Sequence, residues 1–343
     1  MHELTVVEIC AGAGGQALGL EQAGFVHAAA VELDSDACET LRRNRGDQWK
    51  IIEADVGNVD GHAFTGIDLL AGGVPCPPFS VAGSQLGRDD ERDLFPQALR
   101  LVAEIKPRAV LLENVRGLGT GRFSAYRAQI LGQLGCLGYQ PWWQLINASE
   151  HGVPQLRPRF VLVAVAEPWA AAFRWPQAQP GPPPTVGETL ADLMGSAGWA
   201  GAASWAARAD QIAPTIVGGS KKHGGPDLGP TRARAAWHTL GVDGLGIAAE
   251  PPGPAFPARQ PPKLTVRMVA RLQGFPDTWQ FSGRKTAAYR QVGNAFPPPV
   301  ARALGTAIAT ALSARFADSS REQPADRAIR RPSPRRSGTA RGR

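Results

Sequence analysis

Short apolar runs alternate with helix-like stretches over the first ~165 residues, and this alternation limits the possible folds more than any other feature. The apolar runs begin with Leu4–Ile9 and recur as far as residues 160–166, and segments with helical periodicity, such as 94–104, lie between them. Strands that alternate with helices are typical of a parallel sheet covered by helices on its faces. The sequence therefore predicts an α/β fold with a mostly parallel sheet.

A second region follows in which this periodicity is lost. The chain has 343 residues, enough for an α/β domain and a smaller second domain. Residues 176–262 contain fourteen prolines and fourteen glycines, which interrupt regular elements, so we expect an irregular domain at about 169–262. Helical periodicity returns at Val266–Leu272, and a last helix is predicted for 299–314.

Most of the positive charge lies in a C-terminal tail. The formal net charge is +7, but residues 317–343 contain eight arginines, three acidic residues and almost nothing apolar, so we expect a disordered basic tail there. The rest of the chain is nearly neutral. In residues 176–262 six basic side chains balance six acidic ones, so a contact with DNA would depend on individually placed donors.

The cysteines and the apolar runs argue against several classes of protein. Cys10, Cys38, Cys76 and Cys136 lie far apart without a Cys-x-x-Cys pair, so the sequence suggests neither a zinc site nor a disulfide framework, and no metal is expected. The N-terminal residues lack a signal-peptide pattern, and no apolar run approaches the ~20 residues of a membrane helix. We expect a soluble, cytoplasmic protein without a membrane partner.

One cysteine lies on a proline-rich loop directly after an apolar strand. Residues 67–71 form the strand, and residues 72–80 read Gly-Gly-Val-Pro-Cys-Pro-Pro-Phe-Ser. Ligands of open α/β sheets bind at the carboxyl ends of strands, and the prolines restrict the backbone there. A free cysteine usually packs as a small apolar residue, so Cys76 becomes a candidate nucleophile only if catalytic partners lie nearby.

The first strand is followed by a glycine-rich turn. The glycines of residues 12–15 open the first predicted helix, and Glu32 ends the second strand twenty residues after Gly12. This spacing satisfies the fingerprint of dinucleotide-binding proteins, and it equally suits S-adenosylmethionine, whose ribose also needs an acidic acceptor. The motif alone does not choose between the two. Asp55, at the end of the third strand, could accept a hydrogen bond from an adenine amino group or cap a helix.

Two further polar motifs occur at strand ends. Glu113 ends the fifth apolar strand and would place a carboxylate at the same sheet edge as Cys76. Residues 155–159 read Gln-Leu-Arg-Pro-Arg before the last strand, and alternation would place Arg157 and Arg159 on one face as a two-cation clamp. Each residue could instead be a helix cap or a surface charge. Together they suggest a nucleophile, a proton donor and an anion clamp.

With these motifs, the chain resembles the DNA cytosine methyltransferases that form 5-methylcytosine, of the bacterial or phage type. The matching motifs occur in the order and approximate spacing of that family and cover most of residues 4–310. They are the glycine turn, Glu32, Asp55, the proline-cysteine loop, Glu113-Asn114-Val115, residues 155–159, residues 271–277 (Arg-Leu-Gln-Gly-Phe-Pro-Asp) and Gly293-Asn294-Ala295. A proline-cysteine loop alone is a weak signal, whereas this ordered series is highly specific.

The resemblance implies a Rossmann-like, S-adenosylmethionine-dependent domain and a covalent mechanism. The Cys76 thiolate would add to carbon 6 of a cytosine flipped out of the duplex, while Glu113, carrying or sharing a proton, would hydrogen-bond ring nitrogen 3. Carbon 5 would then accept the methyl group, and loss of its proton to a base such as water would release the cysteine. Arg157 and Arg159 would hold the base or its phosphate and favour the thiolate.

The resemblance also implies domains, binding residues and partners. Residues 1–168 would be the catalytic and cofactor-binding domain, 169–262 the target-recognition domain, 263–316 a segment returning to the catalytic domain, and 317–343 the tail. The implied cofactor residues are Ala11, Gly12, Ala13, Gly14, Glu32, Leu33, Asp55, Val56, Pro75 and Asn294. The DNA-binding candidates are Ser80, Gln155, Thr215, Lys221, Lys222, Arg232 and Arg234. We expect a monomer that acts on double-stranded DNA, either alone or beside a cognate restriction endonuclease for the same site.

Other functions fit parts of the sequence. A nicotinamide-dependent oxidoreductase would explain the glycine turn and Glu32, but not Cys76, Glu113 or the arginine pair. A catalytically silent DNA-binding protein would be expected to lack the cysteine or the glutamate, and both are present. An RNA cytosine methyltransferase of similar architecture is disfavoured because the Cys-Phe-Thr tripeptide typical of the transfer-RNA enzymes is absent.

Overall fold

The computed structural model describes residues 3–75, 93–219 and 227–314. Its strands are β1 (Leu4–Ile9), β2 (Phe25–Glu32), β3 (Ile51–Glu53), β4 (Leu69–Gly73), β5 (Ala109–Val115), β6 (Tyr139–Asn147) and β7 (Pro158–Ala166). Its α-helices are α1 (Gly15–Gln22), α2 (Ser35–Arg45), α3 (Phe95–Ile105), α4 (Ser124–Cys136), α5 (Val186–Gly195), α6 (Ala202–Arg208), α7 (Thr231–Thr239), α8 (Val266–Leu272), α9 (Lys285–Asn294) and α10 (Pro298–Leu312). None of these helices combines the length and the apolar character needed to cross a bilayer.

All seven described strands form one sheet, in the order β3-β2-β1-β4-β5-β7-β6. The pairs from β3 to β5 are parallel, and β7 runs antiparallel to both β5 and β6. The inner strands are apolar on both faces because helices cover both sides, as in other parallel sheets. The prediction of an α/β fold with a mostly parallel sheet is confirmed.

Two different pairs of helices cover the two faces of the sheet. α3 and α4 share a core with one face of the sheet, and α1 and α10 share a core with the other. α1 and α10 approach so closely that a Cβ atom on Gly19 would lie 2.4 Å from the carbonyl oxygen of Pro298. The last described helix of the chain therefore packs directly against the first, beside the glycine turn.

Two parts of the fold differ from what the sequence pattern predicts. The pattern does not predict β6, which mixes polar, aromatic and proline residues, a composition that an edge strand tolerates. The region 169–262 is also more regular than expected, since it contains α5, α6 and α7. Their side chains, including Leu190, Trp205 and Trp237, form one apolar cluster with α8 and α9. Long-range packing rather than local periodicity stabilises these short helices.

Candidate active site

A cleft of about 510 Å³ opens at the carboxyl ends of the parallel strands. The turn after β1, the residues that follow β2 and β3, and the C-terminal end of α9 contribute side chains to it. Glu113 of β5 and Arg159 of β7 line the same cleft. Of the expected cofactor residues, the cleft brings together Ala11, Gly12, Ala13, Glu32, Leu33, Asp55, Val56, Pro75 and Asn294.

The glycine turn depends on conformations and clearances that glycine provides. Gly12 and Gly14 have φ angles of 54° and 82°, in the left-handed region. Gly14, also expected to bind the cofactor, is absent from the cleft wall, and a Cβ atom on it would lie 2.7 Å from Leu41 Cδ2. Gly12 has no atom within 4 Å of such a position, which leaves its backbone open to close approach by a ligand. Trp279 Nε1 secures the turn by donating to the Ala13 carbonyl at 3.1 Å.

The carboxylate of Glu32 joins this turn to the end of β2. Its Oε2 accepts a hydrogen bond from the Gly12 amide at 2.7 Å, and its Oε1 accepts from the amides of Leu33 and Asp34, both at 2.8 Å. Three backbone donors therefore fix its position. A carboxylate has about four acceptor positions, so a half-buried one at the cleft wall can accept a further hydrogen bond from a ligand hydroxyl.

Apolar and acidic side chains adjoin each other in the cleft wall. Leu33 is 67% exposed, and Val56 is buried. Asp55 is exposed, and its Oδ1 accepts a hydrogen bond from the Gly57 amide at 2.7 Å. An apolar surface beside a fixed acceptor suits a flat heteroaromatic ring that carries an amino group.

A buried acidic residue, Glu8 of β1, also lines the cleft. Its Oε2 lies 3.6 Å from Nε2 of His27 on β2, and both side chains are almost fully buried. Burial raises the pKa of Glu8 well above its ordinary value, with a further contribution from Glu32, and burial lowers the pKa of His27 to about 3. The pair is therefore held neutral, with its proton on the carboxyl group.

The Cys10 thiol lies in the cleft but lacks the character of a nucleophile. Burial, reinforced by the negative charges of Glu32 and Asp55, raises its pKa to about 12. Burial likewise raises the pKa of Cys38 to about 12. Since the thiolate is the nucleophilic form, neither cysteine is suited to covalent catalysis. Cys76 lies outside the described residues.

Glu113 and Arg159 form an ion pair in the cleft. The Glu113 Oε1 and Arg159 Nε atoms lie 2.5 Å apart, and each side chain is 11% exposed. Gly73 of β4 pairs in register with Glu113, and a Cβ atom there would lie 3.6 Å from Glu113 Oε2. Asn114, which follows Glu113, donates from Nδ2 to the Val74 carbonyl at 2.7 Å and so holds the end of β4 against β5.

Arg157 does not share this position with Arg159. It is fully buried and donates to the carbonyl oxygens of Ile216 (2.7 Å), Gly293 (2.7 Å) and Ala295 (2.9 Å). It is absent from the cleft wall. This corrects the expectation of a two-arginine clamp, which is wrong for Arg157: its donors join the chain segments that flank the cleft.

Gln155 belongs to the same buried network, so the expectation that it contacts DNA is also corrected. Its Oε1 accepts from the Ile216 amide at 2.9 Å, and its Nε2 donates to Gln273 Oε1 at 2.5 Å. Gln273 in turn donates to the Val292 carbonyl at 2.9 Å. Both glutamines are fully buried. Strand alternation could not reveal this, because the partners lie more than fifty residues away in the chain.

The remaining DNA-binding candidates occupy separate positions. Thr215 donates from Oγ1 to the Leu156 carbonyl and is partly exposed. Arg232 is exposed on α7, whereas Arg234 lies 3.5 Å from Asp227 in an ion pair. Ser80, Lys221 and Lys222 lie outside the described residues.

Several cleft residues were not expected from the sequence. Gln16 of α1 is buried, and neither polar atom of its side chain has a hydrogen-bond partner within the described ranges. Arg290, Gln291 and Phe296 flank Asn294 and also line the cleft. Glu8 could have been identified from the sequence, because a carboxylate inside an apolar strand is costly to bury and so marks a candidate functional residue.

A family model and two curated relatives agree on the family, and a solved structure shares the fold. A model of the C-5 cytosine-specific DNA methylases matches residues 4–310. The chain is 59% identical over 317 residues to the Type II methyltransferase M.NaeI of Lentzea aerocolonigenes, covering 91% of this chain and 76% of the relative. It is 52% identical over 312 residues to the Type II methyltransferase M.NgoMIV of Neisseria gonorrhoeae, covering 90% and 98%. The solved structure of a Spodoptera frugiperda DNMT2 mutant shares the fold, with a TM-score of 0.63 at 16% identity over 89% of this chain and 99% of that one.

Proposed function

The chain belongs to the C-5 cytosine-specific DNA methylases, and on this premise we propose that it methylates carbon 5 of a flipped cytosine in duplex DNA through a covalent Cys76 adduct. The methyl donor in this proposal is S-adenosylmethionine. Membership of the family argues against the nicotinamide-dependent oxidoreductase and the catalytically silent DNA-binding protein.

One observation carries the proposal, namely that a single cleft combines two different sets of groups. Glu32 and Asp55 provide acceptors for a nucleoside, and Glu113 with Arg159 provides a polar site for a base. Cys76 directly follows Pro75 in the sequence, and Pro75 lines the cleft.

The residues present fit S-adenosylmethionine, which supplies an electrophilic methyl group on a sulfonium when bound. Glu32 can accept a hydrogen bond from a ribose hydroxyl, and Asp55 can accept one from the adenine amino group. Leu33 and Val56 offer apolar contacts to the ring. The open backbone of Gly12 allows a ligand to approach closely.

The chain's own residues would carry the covalent steps. The Cys76 thiolate forms a bond to carbon 6 of cytosine, and Glu113 hydrogen-bonds nitrogen 3, which neutralises the developing negative charge. Carbon 5 thereby gains the electron density that it needs to attack the methyl group. Loss of the carbon 5 proton to a base then returns an electron pair to the ring, re-forms the double bond and expels Cys76. Arg159 orients Glu113 throughout.

On the DNA side, we assign target recognition to residues 169–262, catalysis to 1–168 and closure of the catalytic domain to 263–316. Thr215 and Arg232 remain candidate contacts of this region, together with Lys221 and Lys222. Arg234 can contact DNA once its ion pair with Asp227 is broken. Ser80, near Cys76 in the chain, remains a candidate contact as well.

The relatives also suggest a biological setting. M.NaeI and M.NgoMIV are named Type II methyltransferases. We therefore place this protein in a restriction-modification system, as a monomer that protects the site cut by a cognate restriction endonuclease.

Bisulfite sequencing of host DNA after expression tests the activity, because it reports the product and the target together. Wild type should methylate cytosines of one sequence context, which then resist bisulfite conversion, and Cys76→Ala should methylate none. Cys136→Ala, which changes an exposed cysteine on α4, is the matched control and should retain activity. Wild type should also form a covalent complex with DNA that contains 5-fluorocytosine. Absence of both methylation and adduct would contradict the assignment.

A further inference from the structure

The hydroxyl of Tyr289 contacts two residues that are ten positions apart in the recognition region, residues 169–262. It lies 3.0 Å from the carbonyl oxygen of Val217 and 2.7 Å from that of Asp227. These two residues flank positions 218–226 in the chain. The tyrosine side chain is buried on α9, so the position of this hydroxyl is fixed, and its single proton is shared between the two backbone carbonyls, with the shorter contact to Asp227.

The same helix reaches the cofactor cleft at its C-terminal end. Gln291 and Asn294 of α9 line the cleft, and Asn294 Nδ2 donates to the Gly219 carbonyl at 3.2 Å. Gly218 lies directly on this helix end, since a Cβ atom on Gly293 would be 2.5 Å from Gly218 Cα. Residues 217–219 of the recognition region therefore lie against the helix that forms one wall of the cleft.

We propose that Tyr289 is a positioning residue that holds the recognition region on α9, so that bound duplex and cofactor cleft keep a fixed relative placement. Tyr289 is absent from the cleft wall and would not touch the base or the cofactor. It acts through the backbone of Val217 and Asp227, whose carbonyl groups it orients. This inference rests on the proposed function, because it assigns duplex DNA to the recognition region.

Loss of this hydroxyl should raise KM for DNA and leave the affinity for the cofactor nearly unchanged. Tyr289→Phe keeps the buried ring and removes only the donor. One lost hydrogen bond corresponds to about a three- to tenfold change in an equilibrium constant. We therefore expect KM for target DNA to rise about three- to tenfold, while kcat at saturating DNA stays within about twofold.

The chain offers a close control for this substitution. Tyr139 of β6 is also buried, and its hydroxyl donates to the carbonyl oxygen of Pro107 at 2.6 Å, at the far edge of the sheet. Tyr139→Phe thus removes the same kind of hydrogen bond away from the cleft. A role limited to general stability would make the two variants behave alike.

The experiment compares wild type, Tyr289→Phe and Tyr139→Phe on a duplex that contains the site found by bisulfite sequencing. Steady-state methylation gives KM for DNA and kcat, and calorimetric titration with S-adenosylhomocysteine without DNA gives cofactor affinity. The proposal expects a raised KM for DNA in Tyr289→Phe alone and cofactor affinity within about twofold of wild type in both variants. Hydrogen exchange should show reduced amide protection at residues 215–219 in Tyr289→Phe alone.

Other outcomes overturn the inference. An unchanged KM for DNA, an equal change in Tyr139→Phe, or loss of cofactor binding or cooperative unfolding in Tyr289→Phe alone would each show that the hydroxyl does not position the recognition region. Absence of methylation by wild type would instead contradict the proposed function, so the two failures are distinguishable.

Discussion

Glu113 and Arg159 are diagonal neighbours on the antiparallel strands β5 and β7, with Oε1 and Nε 2.5 Å apart. Both side chains are nearly buried, and burial tends to lower the pKa of Arg159, whereas the Glu113 carboxylate opposes that shift. The Glu113 side chain is therefore held in one orientation in the cleft, as a side chain that hydrogen-bonds a bound base requires.

Replacing Glu113 should impair chemistry more than binding. Glu113→Gln removes the acidic group, and we expect kcat to fall about 10²- to 10⁴-fold. Affinity for S-adenosylhomocysteine should stay near wild type, because the proposed cofactor contacts are made by other residues. Methyl transfer and calorimetric titration measure the two quantities. Glu104→Gln is the control, since Glu104 pairs with Arg100 outside the cleft. Equal losses of kcat in the two variants would refute the role of Glu113.

Replacing Glu32 should impair cofactor binding. Glu32→Gln turns one acceptor oxygen into a donor that faces backbone amides, so cofactor affinity should fall about tenfold or more. Glu53 is a matched control because it pairs in register with Glu32 on the neighbouring strand, yet forms a surface ion pair with Arg42. Glu53→Gln should therefore bind S-adenosylhomocysteine like wild type. A cofactor affinity of Glu32→Gln equal to that of Glu53→Gln would exclude the proposed contact.

Replacing Arg157 should reduce stability. A lysine in Arg157→Lys cannot span the carbonyl groups of Ile216, Gly293 and Ala295, and it leaves buried acceptors without donors. We expect the free energy of unfolding to fall by about 2–4 kcal/mol. Arg42→Lys, at an exposed ion pair, should leave it nearly unchanged. Urea denaturation gives the free energy of unfolding of both variants. If Arg157→Lys were as stable as wild type, the buried hydrogen-bond network would be dispensable.

His27 should make stability depend on pH. The folded protein lowers the pKa of His27 to about 3, whereas the unfolded chain binds this proton near the ordinary value of 6.5. Below that value the unfolded state holds more protons, so this histidine increasingly destabilises the protein as pH falls from about 6.5 towards 3. The slope is at most about 1.4 kcal/mol per pH unit.

The variant His27→Gln isolates this contribution, because other titrating groups are shared with wild type. Its stability relative to wild type should improve as pH falls from about 7 to about 5. Urea denaturation at several pH values gives this difference. A difference independent of pH would mean that His27 does not stay neutral in the folded state, or that Glu8 compensates for its titration.

The sequence alone determined those features that depend on neighbouring residues. The glycine turn, the apolar strands and the acidic residues at strand ends are local, because their backbone conformation and burial follow from short patterns. They predicted the α/β fold, and they also predicted that Glu32, Asp55 and Glu113 lie at one edge of the sheet, where the structure places all three.

Only the tertiary structure decided the contacts of the two arginines and of Tyr289. Arg157 and Arg159 are two residues apart, yet one binds distant backbone carbonyls and the other pairs with Glu113. Tyr289 meets Val217 and Asp227 from a helix more than sixty residues further along the chain. Burial and hydrogen-bond partners of this kind depend on which segments pack together, and a short sequence pattern does not contain that information.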